Sequence, residues 1–477
     1  MVPMPRLLLA LLLLLCAPSA ATAAAPDCPP DSEFGPGPAM GIGPEHVLGG
    51  APERASGAGG IVVREGRRVP RTVTLARVPG MGAPTPGDRF GAALATGMLD
   101  RRDSCADIVT GAPGRSGTGA AYLLLGSTGA LPRAATEIRA PDGAPGDEFG
   151  AAVAVSSDLT TFGHDVWIGA PGRDVAGQAD AGAIYRFKLG EMGEVVFAGV
   201  LTQGTPQVPD SPEAGDRLGG LLAPVTGGVV AGLPHEDIGD RRDAGAIEQI
   251  RVAPDGTGLP GVFLDQSADG LETPEAGDRF GAAVSGDFRL YAGAPGEDIA
   301  GRADAGLIAG YQLKQDETNA PARLRPRRTY RQGARGVQGR AEAGDRFGAA
   351  LATGASLRCQ EDSAIAVGVP GEDFRGLRNA GAVALIELDP GIGCRSRELI
   401  QGRGLPGRPH SGERTGTTLG IAPDRPGLDE DTFDTLLVGV PSGEILTSNA
   451  GYRGRRSRLA APPGALGYGS VFALPAS

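Results

Sequence analysis

Four stretches of this sequence carry paired acids at a fixed interval: GRDVAGQADAGA, HEDIGDRRDAGA, GEDIAGRADAGL and GEDFRGLRNAGA. In each, an acid three residues beyond a proline is followed six residues later by Asp or Asn. The pairs are Asp174 with Asp180, Asp237 with Asp243, Asp298 with Asp304, and Asp373 with Asn379. Paired carboxylates can perform general acid–base catalysis. Four near-copies in four places argue for another task, in which an Asx side chain bonds backbone N–H groups and caps a turn. The histidines His46, His164, His235 and His410 stand in separate segments, and neither H-E-x-x-H nor G-x-S-x-G occurs. No nucleophile has a base beside it in sequence. A catalytic centre here would have to be assembled from distant segments.

The elements that must position these residues are legible as a repeat. The phrase GDRFGAALATG begins at Gly87 and again at Gly344. Degenerate copies centre on Phe34, Phe90, Phe149, Leu218, Phe280, Phe347 and Thr415. A second phrase of the form GAP follows each one, and a third, typified by DAGAIYRF, follows that. Between the phrases, short apolar runs are bounded by Gly, Pro, Asp and Asn, with no sustained helical periodicity; such runs are strands. Each unit supplies AALATG, DIVTGAP, AAYLLLG and a segment such as ATEIRAP. Four antiparallel strands per unit, repeated radially, predict an all-β, seven-bladed β-propeller of four-stranded antiparallel blades. The repeats fall near 31–86, 87–145, 146–214, 215–276, 277–343, 344–411 and 412–477 of a propeller over 26–477. The Phe of each FG is expected to plug the wedge between blades, and Gly and Ala to fill the crowded inner strands. The last unit reads as ending on its third strand, GSVFAL, so residues 26–30 are expected to complete blade seven and close the ring.

Residues 1–25 read as a secretory signal peptide: Arg6, an apolar run from Leu7 to Leu15, and small residues before cleavage after Ala23 or Ala25. The run is too short to span a bilayer, and no later stretch is long and apolar enough. The expected localisation is therefore secreted and extracellular. Four cysteines remain after the signal, and an even count in an exported chain favours disulfides, taken as Cys28–Cys105 and Cys359–Cys394. A net charge of −11 argues against nucleic acid as partner. Against that acidity, Tyr452, Arg453, Arg455, Arg456 and Arg458 form a basic, aromatic insertion in blade seven, and residues 323–340 form a second basic stretch. Arg with Tyr is the composition of protein interfaces.

Through its paired FG and GAP phrases the whole chain beyond the signal resembles the FG-GAP β-propellers, typified by the N-terminal head of integrin α subunits. Secreted actinobacterial proteins of similar pattern share the resemblance. It implies calcium as cofactor, caged by D-x-D-x-D-G-x-x-D loops between the FG and GAP strands. Here the cages are worn: Asp100, Asp103 and Asp107 remain in blade two, and Asp429, Asp431 and Asp434 in blade seven. It also implies a non-enzymatic binding or adhesion module, a monomer contacting an extracellular or cell-surface protein through propeller loops. The rivals are a carbohydrate-binding propeller and a polysaccharide-cleaving enzyme with its site at the central channel. Exposed Trp or Tyr platforms would favour glycan, yet Trp167, the sole tryptophan, sits in a strand run.

Overall fold

The computed structural model describes residues 46–475 except 66–70, 79, 101–104, 128–131, 158–162, 254, 287–288, 315–321, 335, 355–363, 389–395, 423–434, 442–443, 450–455, 461–470 and 473. Seven antiparallel sheets form the seven blades of a propeller, as the repeat predicts. From the innermost strand outward, blade 2 is Leu94–Gly97, Asp107–Ala112, Ala120–Leu125 and Ala134–Ile138. Blade 3 is Val153–Ser157, His164–Ala170, Ala183–Leu189 and Val195–Leu201. Blade 4 is Leu221–Val225, Gly228–Leu233, Ala246–Val252 and Gly258–Leu264. Blade 5 is Ala283–Gly286, Arg289–Ala294, Leu307–Lys314 and Arg323–Tyr330. Blade 6 is Leu351–Gly354, Ala364–Val369, Ala382–Glu387 and Arg397–Gln401, with Gly404–Leu405 added at its edge. Innermost strands of neighbouring blades pack side by side.

The second strand of blade 2, DIVTGA, and its third, AAYLLL, are buried at every position, because both faces of a middle strand meet a neighbouring blade. Such strands read as continuous apolar runs. The fourth strand of that blade, AATEI, is exposed or half-buried at every position but its last and carries polar residues.

Between blades the FG phrase does two things. Phe90, Phe149, Phe280, Phe347 and Leu218 are all fully buried. Phe280 joins Val230 and Ile247 of blade 4 to Ala292, Leu307 and Tyr311 of blade 5 in one core. Its equivalents pack edge-on against tyrosines, Phe90 on Tyr122 at 5.5 Å and Phe149 on Tyr185 at 5.2 Å, the arrangement the ring quadrupole favours. The following glycine then brings main chains into contact: a Cβ on Gly293, the glycine of GAP in blade 5, would run into the carbonyl oxygen of Gly348 in blade 6. Backbone bridges such as Gly245 with Phe280 run parallel across the same seam.

Blade 7 and the closure differ from the sequence reading. Blade 7 is complete in itself, with Thr418–Ala422, Thr435–Val440, Glu444–Asn449 and Arg456–Ala460. The segment read as an insertion therefore supplies that blade's third and fourth strands. Its polar, Arg-rich outer strand lacks the apolar run that marks an inner one. GSVFAL is not a third strand of blade 7: Val471–Phe472 is the innermost strand of blade 1, antiparallel to His46–Gly50, followed outward by Ile61–Glu65 and Arg71–Val73. Leu474–Pro475 continues beside Leu94–Gly97 of blade 2 in parallel register. The C-terminal strand thus closes the ring, and residues 26–30 lie outside the described residues. The second basic stretch likewise contains a strand, since Arg323–Tyr330 is the outer strand of blade 5. Among the described residues no helix is long and apolar enough to cross a membrane.

Two substitutions test this seam by thermal unfolding. F280A removes a fully buried wedge and is expected to cost about 3–5 kcal/mol. G293A is expected to lower the midpoint too, because its new methyl meets backbone and cannot be accommodated by a rotamer change. An F280A midpoint equal to that of the wild type would sink the wedge account.

Candidate functional site

The turn that leads into each innermost strand is built by its Asp. Asp88, Asp147, Asp216, Asp278 and Asp345 accept the backbone N–H three residues earlier, from Thr85, Ala144, Glu213, Glu275 and Glu342, at 2.5–2.8 Å. The next residue, just before the wedge, is held in the left-handed region: φ is +55° at Arg279, +57° at Arg346 and +52° at Arg414, where Glu413 takes the place of the Asp and accepts from the N–H of His410. Its N–H is thereby aimed at the preceding blade, where Arg279, Arg346 and Arg414 each donate to the carbonyl of Asp243, Asp304 and Asn379 at 3.0 Å.

Those acceptors are the second members of the acid pairs noted in sequence. Asp180, Asp243, Asp304 and Asn379 are themselves left-handed, a conformation Asp and Asn tolerate better than most side chains. Their N–H groups donate to Asp174, Asp237, Asp298 and Asp373 at 2.7–3.1 Å. The pairs are turn caps.

With its backbone fixed, each arginine stands in the turn that leads into an innermost strand. Arg279, Arg346 and Arg414 are exposed and line a cavity of about 690 Å³ across blades 5, 6 and 7. Asp304, Asn379 and Thr417 supply its other polar side chains. Elsewhere on the ring the equivalent residues are paired, Arg217 with Glu148 and Arg89 with Glu53. The cavity is thus a concave, guanidinium-rich mouth in an acidic protein, suited to carboxylates.

Beneath this rim the residue two beyond the proline of GAP divides the blades. In blades 2 and 3 it is Arg115 and Arg173, which pair with Asp88 at 2.7 Å and Asp147 at 3.4 Å. In blades 4, 5 and 6 it is Glu236, Glu297 and Glu372, each receiving a hydrogen bond from a buried glutamine, Gln203, Gln266 or Gln332, at 2.7–3.0 Å. Burial, reinforced by neighbouring carboxylates, raises Glu297 and Glu372 to about 8 and Glu236 to about 10. Burial likewise raises Asp216, Asp278 and Asp345 to about 6.

Residues 133–187 match the family model for the FG-GAP repeat, a window from the outer strand of blade 2 through the third strand of blade 3. This window carries an FG-GAP repeat, and the fold around it is a seven-bladed propeller. No curated protein matches it.

The cage residues expected of an FG-GAP blade are partly placed. Asp100 and Asp107 lie close together in blade 2, both buried. Asp100 pairs with Arg133. Asp107 accepts N–H groups from Leu99, Asp100 and Gly126, and burial with Asp100 nearby raises it to about 7. Asp103, Asp429, Asp431 and Asp434 lie outside the described residues, as do Tyr452, Arg453 and Arg455. Arg456 and Arg458 stand on the outer strand of blade 7. Cys105 is buried, while Cys28, Cys359 and Cys394 lie outside the described residues.

The sequence reading missed the arginine mouth, the buried glutamines and the Arg-to-Glu switch. Superposing the repeats at the GAP proline would have exposed the switch. The mouth needed the left-handed turn to be known.

The pH behaviour of Glu297 follows from its shift. Its carboxyl keeps a proton in the folded chain up to about 8, whereas the unfolded chain loses it near the ordinary 4.5. Its contribution to stability is therefore fully present below about 4.5 and falls as pH rises toward about 8, by at most about 1.4 kcal/mol per pH unit. E297Q, which cannot ionise, is expected to unfold later than wild type at pH 8 and alike at pH 4. Equal midpoints at both values would show that Glu297 is not held protonated.

Proposed function

We propose that this propeller is a secreted, monomeric, non-enzymatic binding module, and that an extracellular protein docks over its loops with acidic side chains in the arginine mouth. The observation that carries this reading is the convergence of Arg279, Arg346 and Arg414 on one cavity of about 690 Å³ in a chain of net charge −11. A local basic site on an acidic surface selects for complementary acid and repels the bulk of like-charged proteins. Among the described residues Trp167, Tyr122, Tyr185 and Tyr311 are fully buried, which favours a protein partner over a stacked sugar. The exposed arginines on the outer strand of blade 5, Arg323, Arg325, Arg327 and Arg328, extend the basic character to that blade's edge. Secretion belongs to this reading through residues 1–25. So do the disulfides Cys28–Cys105 and Cys359–Cys394, of whose cysteines Cys105 is buried.

The experiment passes secreted and cell-envelope proteins over the immobilised chain and over an R279N/R346N/R414N variant. Asn tolerates the left-handed turn, so the variant keeps the fold while losing the charge. A saturable protein partner, held by wild type, weakened at least about tenfold by the variant and released by raised salt, is the expected outcome. Retention unchanged by the variant would remove the mouth as the site. Retention of polysaccharide alone would favour the glycan-binding rival.

A further inference from the structure

The seam between blades 3 and 4 holds a cluster of oxygen ligands that neither the binding reading nor the expected cages account for. Glu213, Asp216 and Glu236 each place a carboxylate oxygen within 4.8 Å of the others. That separation is what one ion can bridge, since calcium–oxygen distances of about 2.3–2.6 Å set ligand oxygens at most about 5 Å apart. Asp216 and Glu236 are buried.

Two further observations point to a cation. Gln203 is 4% exposed and lies against the cluster, its Nε2 donating to Glu236 at 3.0 Å. The Oε1 of the same amide is buried with no hydrogen-bond partner. The same orphan oxygen recurs on Gln266 and Gln332, but among the described residues only Gln203 stands beside three gathered carboxylates. There a cation would take up the oxygen of the turned-over amide in exchange for the Nε2 hydrogen bond. The second observation is an internal comparison. In blades 2 and 3 the position of Glu236 is held by Arg115 and Arg173, whose guanidinium groups neutralise the turn Asp. Blade 4 keeps the Asp, exchanges the built-in cation for a carboxylate, and adds Glu213. Its seam has lost a positive charge where two blades without the exchange have one.

We propose that Glu213, Asp216, Glu236 and the amide oxygen of Gln203 bind a hard divalent cation of the calcium class. An all-oxygen set rich in carboxylate suits calcium over zinc or copper. This site is distinct from the cages between the FG and GAP strands. In blade 2 the cage residue Asp107 begins the strand Asp107–Ala112, and the Arg115 position follows that strand's far end. At about 3.3 Å per residue the two lie roughly 20 Å apart, at opposite ends of the blade. Blades 5 and 6 share the Glu–Gln pair, but there no third carboxylate is gathered within reach among the described residues. The cation would fasten blade 3 to blade 4, since Gln203 comes from the end of blade 3 and Glu236 from blade 4.

The test is calorimetric titration of the EDTA-stripped full chain with calcium chloride, with thermal unfolding in calcium and in EDTA. Wild type is compared with E236R, which restores the arginine of blades 2 and 3, and with E236Q. E236R is expected to bind one calcium fewer than wild type and to lose a calcium-dependent rise in midpoint. E236Q is expected to weaken that one site at least about tenfold. Counting sites by difference separates this one from any calcium in the blade 2 or blade 7 cages. Equal stoichiometry in wild type and folded E236R would overturn the proposal, as would a wild-type chain that binds no calcium at millimolar concentration. Should E236R not fold, E236Q carries the comparison: an unchanged calcium isotherm overturns the proposal and a weakened site supports it.

Discussion

The structure depends on how closely the main chains of adjacent blades can approach. The glycine of GAP in one blade faces the carbonyl of the FG glycine in the next, as Gly293 faces Gly348, with no room between for a methyl group. That approach recurs from Gly111 and Gly150 through to Gly368 and Gly416. It brings the wedge residue into register with both neighbouring sheets, so that Phe280 or Phe347 is sealed on all sides. A side chain at either glycine would hold the blades apart and leave the phenylalanine with voids along its flanks, forfeiting dispersion contacts along the whole seam.

Once the seams are fixed, the turns at their ends have little freedom. Asp caps the turn, the next residue is driven into the left-handed region, and its N–H reaches the preceding blade. The side chain at that position has no packing duty, which is why Arg, Glu and a further Arg can stand at equivalent points of the ring. Function is free to vary where scaffold is not. The same logic holds two residues beyond the GAP proline, where Arg115 and Arg173 give way to Glu236, Glu297 and Glu372 without disturbing the fold. The exchange changes the charge buried in the seam, and with it the need for a proton or a cation there.

The expectation for the end of the chain failed for a physical reason. Inner and middle strands bury both faces and announce themselves by unbroken apolar runs. Outer strands have one wet face and are edges, where arginines discourage pairing with other chains. RSRLA in blade 7 and RLRPRRTY in blade 5 therefore look like loops to any reading that seeks apolar runs. Taking RSRLA as part of an insertion left blade 7 short of a strand, and the closure was assigned to the wrong terminus.

The number of blades, the inner strands of most of them, the wedge and the glycines of the seams were set down in the sequence, because each is a local pattern repeated in step. The acid pairs were legible as turn caps for the same reason. What only the tertiary structure decided is which residues from different blades meet. The arginine mouth draws on residues from Arg279 to Arg414, and the oxygen cluster joins Gln203 to Glu236 across a seam. Closure by Val471–Phe472 onto His46–Gly50 likewise unites residues more than four hundred positions apart. Such meetings are fixed by the curvature of the ring and by left-handed backbone turns, neither of which is encoded in the spacing along one repeat.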